Sequence, residues 1–477
     1  MKLSDRSANM TQSPIIGRGH PAPDYPTLVQ EMREYRFPHP RRRLPVIDSL
    51  PQPAMFNLVH ILTGMRRSGK TFHLFQLIND LLQSGVPRER IFYFNFSDER
   101  LQPMPEDALG QVITEFWRQN PDSRTQGTYL FLDEVQETEY WQGFCQRLAE
   151  HECVTLVITG SSSKLSSEQI ATTFRGRSYA HEVLPLSFRE YCDFQDLNAP
   201  EADADAFSPQ TTTAMESAFD RYLIEGGFPG VQSLPPAGRI DMLQSYMRDV
   251  VARDAAEQLG RGEISLANQI ALFALRNTAC ELAVSKLTAQ LEQVGYKLYW
   301  NKARRILDLL EQAFLCYELG EYTTSLKPNT TVVPKIYAED PGLVYAVSRA
   351  NQQDGGKRLE TAIYLELRRR QFGKRTDSIT SLTLPTAKQE KVDFLIGDAL
   401  GMEPYSAIQV TADMTNPRTR KREIAALEQT MHRIHDVTGT IITLREEGSI
   451  LTDAGTINVI PAWKWALQSD GIAQNAH

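Results

Sequence analysis

One segment limits what these 477 residues can fold into more than any other. Gly64-Met65-Arg66-Arg67-Ser68-Gly69-Lys70-Thr71 fits G-x-x-x-x-G-K-[S/T]. Average composition gives roughly 0.02 chance matches in a chain of this length, so the match is informative before its context is considered. It follows the apolar run LVHILTG at 58–64 and precedes the helix-compatible stretch Phe72–Leu82. Gly64 and Gly69 let the backbone curl so that its N–H groups face a phosphate beside the positive end of a helix. The loop from Gly64 through Met65, Arg66, Arg67, Ser68 and Gly69 is therefore the expected phosphate cradle. Lys70 would bridge the β- and γ-phosphates of a nucleoside triphosphate, and the Thr71 hydroxyl would ligate Mg²⁺. The alternative is a glycine-rich turn that merely starts a helix.

A phosphate loop predicts an apolar strand ending in an acid, and Tyr129-Leu130-Phe131-Leu132-Asp133-Glu134 supplies one. Asp133 can hold the magnesium through water, and Glu134 can polarise the attacking water. A further run, Val154–Thr159, ends in Gly160-Ser161-Ser162-Ser163, where Ser161 or Ser162 can touch the water or the γ-phosphate. A hydroxyl-rich turn is the other reading. Arg175 and Arg177, in FRGRSY, could reach a γ-phosphate in their own subunit or a neighbour's. Either could equally form a surface ion pair. With IFYFNF at 91–96, these runs alternate with helical stretches, the pattern of a parallel sheet covered on both faces.

The remainder divides by pattern. Residues 1–55, with nine prolines and the Arg41-Arg42-Arg43 cluster, read as an irregular extension. The ATPase-like core is expected over 56–195. Residues 196–262 read as an acidic, apolar-poor linker over 196–215 followed by a small helical extension. A helical unit at 263–330 and a mixed α/β domain at 331–477 complete the division. A helix at Leu359–Arg370 and strands at Lys391–Ile396, Ala407–Val410, Gly439–Leu444 and Thr456–Ile460 are expected in that last part, with a helix at Arg422–His435. Hydrophobic residues make up 41% and the net charge is −8, which argues against nonspecific coating of nucleic acid. Five scattered cysteines form no C-x-x-C pair, and no run approaches a membrane span. A cytoplasmic protein without membrane contact is the expectation.

The ordered set LTGMRRSGKT, LFLDEVQ, ITGSSSKL, FRGRSYAHEVLPLSFREY, YLIEGGFP, YMRDVVARD, KIYAEDPGL and VIPAWKW, over roughly 40–467, carries a resemblance. It resembles the bacterial and archaeal AAA-like P-loop ATPases in which the core is followed by a winged helix and a C-terminal domain of unknown function. That resemblance implies ATP as the nucleotide, with Mg²⁺, and hydrolysis that drives a conformational switch. It also makes Ile264–Tyr322 a winged helix, whose Lys302, Arg304 and Arg305 cluster where recognition helices meet DNA. Protein packing is the competing use of such a module.

The C-terminal order of elements is similar to the PD-(D/E)xK nuclease fold, a restriction-endonuclease-like arrangement. Glu360 matches its helix-borne acid and Asp393 its strand-borne acid, but the expected E-x-K reads Gln409-Val410-Thr411. Lys391 could migrate into the lysine's role, and an inactive fold is otherwise expected. Basic runs at 368–375 and 418–422 could bind phosphate backbone or simply be solvated. Three functions follow: a DNA-associated or regulatory ATPase switch, an ATP-dependent DNA nuclease, or a nucleotide-gated scaffold whose partner is protein, including a second copy of the chain.

Overall fold

The computed structural model describes residues 23–160, 174, 176–201, 207–255, 259–322, 332–371, 378–384, 390–397 and 405–468. Five parallel strands form the first sheet: β1 (Val59–Thr63), β2 (Ile91–Asn95), β3 (Thr128–Asp133), β4 (Val154–Thr159) and β5 (Ser178–Glu182). Their spatial order is β2-β3-β4-β1-β5. Side chains alternate between faces. Phe92 and Phe94 pack with the helices Ala108–Gln119 and Trp141–His151, while Ile91 and Tyr93 pack with the helix Lys70–Gln83. The continuous apolar runs thus reflect burial on both faces. Strand β4 lies between β1 and β3, so the loops after β1 and β3 open on the same edge, about 10 Å apart at ordinary strand spacing.

The N-terminal extension departs from expectation. Tyr25–Glu34 is a helix, capped by the Asp24 carboxylate on the Thr27 N–H, with Leu28 and Val29 buried against the sheet's helices. Pro26 is accommodated because the first helical turn has no N–H partner to lose. The same feature hid two other helix starts. Pro209–Glu225 begins inside the expected linker, and Pro417–Arg433 begins five residues before the expected Arg422.

Beyond the core, the helix Pro236–Val250 runs into a π-helical turn at Val251–Ala255. Helices Ile264–Arg276, Val284–Gln293 and Trp300–Gln312 follow, interleaved with strands β6 (Cys280–Glu281), β7 (Cys316–Leu319) and β8 (Lys335–Ala338). The strands are antiparallel in the order β6-β8-β7. The boundary expected at 330/331 therefore falls before this sheet is complete. Nor does residue 262/263 divide two cores: Leu243, Met247, Ile270, Leu287, Leu307 and Val344 share one.

The C-terminal sheet contains β9 (Ile379–Thr383), β10 (Lys391–Ile396), β11 (Ser406–Val410), β12 (Thr438–Thr443), β13 (Gly448–Thr452) and β14 (Gly455–Pro461), in the order β13-β14-β12-β11-β10-β9. Pairs β11–β12 and β12–β14 are parallel and the rest antiparallel. Strands β9 and β13, absent from the sequence reading, bury few side chains and so lack an apolar signature. Phe188, Tyr191, Phe219 and Tyr222 pack with Ile363, Trp463 and Leu467, joining the end of the first domain to the C-terminal one.

Candidate nucleotide site

The phosphate loop leaves β1 at Gly64, whose φ of +134° is open to glycine, and an added Cβ would lie 2.4 Å from the Val183 carbonyl oxygen. It ends at Gly69, φ +110°, where the helix Lys70–Gln83 begins. The Lys70 ammonium is buried and donates to the carbonyls of Gly64 (2.9 Å) and Met65 (3.2 Å). Burial pushes its pKa below the ordinary value, against the pull of Glu134. The Ser68 hydroxyl is buried in the loop with no hydrogen-bond partner among the described residues. An orphaned hydroxyl within a loop of this kind is a polar atom that a bound group could satisfy.

Asp133, at the end of β3, is fully buried. Its Oδ2 accepts from Thr71 Oγ1 at 2.9 Å and from the Tyr93 hydroxyl at 3.0 Å, and its Oδ1 accepts from the Thr159 hydroxyl. Burial drives the carboxyl above its ordinary range despite the Thr159 bond, with Glu134's charge adding to the rise. The hard oxygens of Thr71 and Asp133 converge on one point where a cation would supply the missing counter-charge, which fits Mg²⁺. Glu134 follows with a left-handed backbone, φ 52°. Its N–H donates to Thr159 Oγ1 (3.1 Å) and its Oε2 accepts from Gln136 Nε2 (2.6 Å). The carboxylate is thus half-buried and aimed at the edge where the loop opens, a position from which it can accept a proton from water.

Two arginines of the loop are held by residues from beyond the first sheet, and Arg66 still lies within the electrostatic reach of Glu134 and Lys70. Arg66 makes a two-pronged ion pair with Asp254 of the π-helical turn, Nε–Oδ2 3.0 Å and Nη2–Oδ1 3.1 Å. Arg67 lies over the Tyr246 ring at 5.6 Å. The Met65 side chain is wholly buried in the core that contains Phe228, Tyr246 and Met247. Below the loop, Arg43 donates to Ser68 O (2.8 Å) and Leu184 O (2.9 Å) and pairs with Glu190 (Nε–Oε1 2.9 Å). Burial alone would raise Glu190, but the Arg43 charge and hydrogen bonds hold it down at about 2. Within the arginine cluster, Arg41 pairs with Asp196 and Arg42 with Asp80 on the surface, and the buried Arg43 props the loop.

Other expected residues lie elsewhere. Arg177 precedes β5 at the sheet's opposite edge, where its carbonyl accepts from Val59 N–H. One strand of five residues, about 16 Å, separates it from the loop of its own chain. Its guanidinium is bound to Glu150 at 2.6 Å, so it is not brought to this site. Ser161 and Arg175 lie outside the described residues. Lys302 pairs with Glu263 (2.7 Å), and Arg304 with Asp308 (2.6 Å) and Glu318, which withdraws both from a free DNA-facing cluster. Of the first C-terminal basic run, Arg368, Arg369 and Arg370 are packed inward, and Lys374 and Arg375 lie outside the described residues. Arg368 pairs with Glu182 (2.8 Å), Arg369 donates to Pro185 O (2.7 Å), and Arg370 lies over the Trp465 ring. Glu182 ends β5, beside the loop. Sequence reasoning missed Thr159, Tyr93, Arg43 and Asp254, each brought to the site by tertiary packing.

Residues 57–192 match the family model of an AAA domain, and residues 216–354 match a domain of unknown function (DUF8612). The chain is 29% identical over 418 residues to the uncharacterized protein MJ1544 of Methanocaldococcus jannaschii, covering 86% of this chain and 88% of that one. It is 28% identical over 316 residues to an uncharacterized protein of Haemophilus influenzae, covering 66% and 76%. Among solved structures, the Walker-type ATPase PABY2304 of Pyrococcus abyssi has a TM-score of 0.37 at 13% identity, covering 61% of this chain and 90% of that one. The Aeropyrum pernix ORC1 protein, in complex with DNA, has a TM-score of 0.24 at 14% identity, covering 70% and 94%. Among the described residues no helix is long and apolar enough to cross a membrane. With the phosphate loop, the acid-ended strand and the family match in register, residues 57–192 form a P-loop domain of the AAA type, the architecture of an ATPase.

Proposed function

We propose that the chain binds and hydrolyses Mg-ATP in the cytoplasm and uses the reaction to switch the contacts between its core and the units that follow. The loop amides from Gly64 to Gly69 and the Lys70 ammonium hold the phosphates, Thr71 and Asp133 hold the metal, and Glu134 takes the proton from water. Magnesium, when bound, neutralises charge on the transferred phosphoryl group. The observation that carries this reading is the Lys70 ammonium held on the Gly64 and Met65 carbonyls while Thr71 meets Asp133, at a loop whose Ser68 hydroxyl is buried and unpartnered. A switch is supported by the placing of Arg66: the loop that would meet phosphate is tied to Asp254 of the next unit. A second route runs from Val183, whose N–H donates to Thr63 O (2.8 Å), through Glu182 to Arg368.

The order helix, strand, two helices and two strands over 264–338 supports a winged helix. Its internally paired cations favour a packing role for that module rather than DNA contact. The mixed sheet and flanking helices of the C-terminal part support a nuclease-like fold. Steady-state ATP hydrolysis, with and without duplex or single-stranded DNA, tests the reading. Lys70→Ala should lose nucleotide binding or turnover. Glu134→Gln should bind nucleotide yet turn over about 10²–10⁴-fold more slowly. Equal turnover in Glu134→Gln would remove Glu134 from the base's role.

A further inference from the structure

A cleft of about 660 Å³ opens on the C-terminal domain between β10, β11 and the helix Pro417–Arg433. At its floor stands a residue that arrives from outside that domain's sheet. Lys335, the first residue of β8, places its Nζ 3.0 Å from Glu360 Oε1 and 2.7 Å from Asp393 Oδ1. Glu360 Oε1 also accepts from the Tyr337 hydroxyl (2.8 Å), and Asp393 Oδ2 from the Val410 N–H (3.0 Å). Burial would lower the Lys335 ammonium, but the two carboxylates overcome this and keep it charged. Burial and the Asp393 charge push Glu360 up to about 7. One ammonium thus stands between two carboxyl groups at the floor.

A nuclease-like fold implies a divalent cation between these acids, and the residues present do not fit one. The ammonium occupies the space between the carboxylates. The oxygen that Gln409 could have offered as a further ligand accepts the Asp393 N–H at 2.8 Å, while its amide nitrogen donates to Glu423 (2.8 Å) and Lys391 O (2.9 Å). Lys391, the lysine expected to migrate into the site, instead pairs with Glu281. The rim, by contrast, carries exposed cations, beside Glu390 and the buried Glu423. Arg418 and Lys421 line the cleft and have no carboxylate partner among the described residues, and Arg422 pairs with Glu423.

We propose that this cleft binds the phosphodiester backbone of a nucleic acid without a divalent cation, the Lys335 ammonium standing in the metal's place and Arg418 and Lys421 holding flanking phosphates. The chemistry is that of counter-charge alone: a lysine fixed by two acids offers its remaining N–H to a phosphate oxygen, and freely exposed guanidinium and ammonium groups capture neighbours. The inference is independent of ATP turnover.

The test is fluorescence anisotropy of a short labelled duplex and single strand against the full chain, in EDTA and in magnesium. Wild-type affinity should be the same in both within about twofold. The exposed pair Arg418→Glu/Lys421→Glu should weaken binding about tenfold or more and lower the slope of log affinity against log salt by about two. Lys335→Ala should lose binding in EDTA and regain it with manganese, because two unopposed carboxylates then accept a cation. Lys335→Arg should retain metal-free binding, and a thermal melt of each variant separates loss of the site from loss of the fold. Wild-type binding that requires magnesium, binding undiminished by the charge reversal, or no binding to either nucleic acid would overturn the proposal. Competition by inorganic polyphosphate as effective as DNA, phosphate for phosphate, would overturn the assignment to nucleic acid.

Discussion

Removing the guanidinium beneath the phosphate loop should both unfold the core more easily and reverse its response to acid. In Arg43→Met, Glu190 loses the main partner, ahead of Arg369 and the Ser187 N–H, that brings its carboxyl from the ordinary 4.5 to about 2. At 1.36 kcal/mol per pH unit that depression is worth about 3 kcal/mol at neutral pH, in line with the 3–5 kcal/mol expected for breaking a buried pair from one side. For a unit of this size the midpoint of thermal unfolding should drop by roughly 6–12 °C. The sign with pH is diagnostic. In the wild type the folded carboxyl titrates below the unfolded one, so its contribution is complete above about 4.5 and disappears as pH falls towards about 2. In the variant the buried carboxyl keeps the Ser187 and Leu44 N–H groups but no guanidinium, so burial outweighs them, it titrates above the unfolded one, and lowering the pH from 7 to 5 should raise stability. Circular dichroism melts across that range measure it, with Arg43→Met/Glu190→Gln as the companion that removes the stranded charge and recovers part of the loss. A variant that melts like the wild type, or that loses stability on mild acidification, would refute the account of this pair.

Thr159→Val keeps the shape of the β4 terminus but strands an Asp133 oxygen and the Glu134 N–H; a loss of about 1–3 kcal/mol is expected, read by chemical unfolding and by slower ATP turnover. Asp254→Asn removes the charge that holds Arg66, so the guanidinium becomes available to phosphate and the dissociation constant of a fluorescent nucleotide should fall several-fold. Unchanged affinity in Asp254→Asn would show that the ion pair does not compete with nucleotide. Arg177→Ala, far from the loop in its own chain, should leave ATP turnover unaltered at low protein concentration; a loss there would return this arginine to the site.

The legible parts of this molecule were those encoded locally. The phosphate loop, the acid after β3 and the four continuously apolar strands of the first sheet each announce themselves within a dozen residues. Partners that meet across the chain do not. Arg43 and Glu190 are separated by 147 positions and Arg66 and Asp254 by 188, and no spacing in the sequence links them. Ser187-Phe188-Arg189-Glu190 did carry a local signal, the S-x-x-E of a capping box, which the structure forms. That signal could have flagged Glu190 as structural without revealing its arginine. Lys335 was hidden for a related reason. A nuclease-like motif is sought on its own strand, whereas this lysine comes from a strand of the preceding sheet. Prolines misled most consistently, since Pro26, Pro209 and Pro417 mark helix beginnings rather than breaks.

The Met65 side chain sets the smallest portion of this chain that can be transplanted or expressed alone. It belongs by sequence to the phosphate loop, yet it is wholly buried in a core whose other members, Phe228, Tyr246 and Met247 among them, come from beyond the matched AAA segment. A fragment ending near residue 195 would leave that thioether in water at the tip of the loop whose shape matters most. Recombination that exchanged the AAA segment between relatives would have to carry the rest of that core with it, or repair the position with a polar residue. The heritable unit is accordingly longer than the matched segment, and a useful fragment begins before Arg43 and runs past Val347, the last residue of the core that Met65 joins.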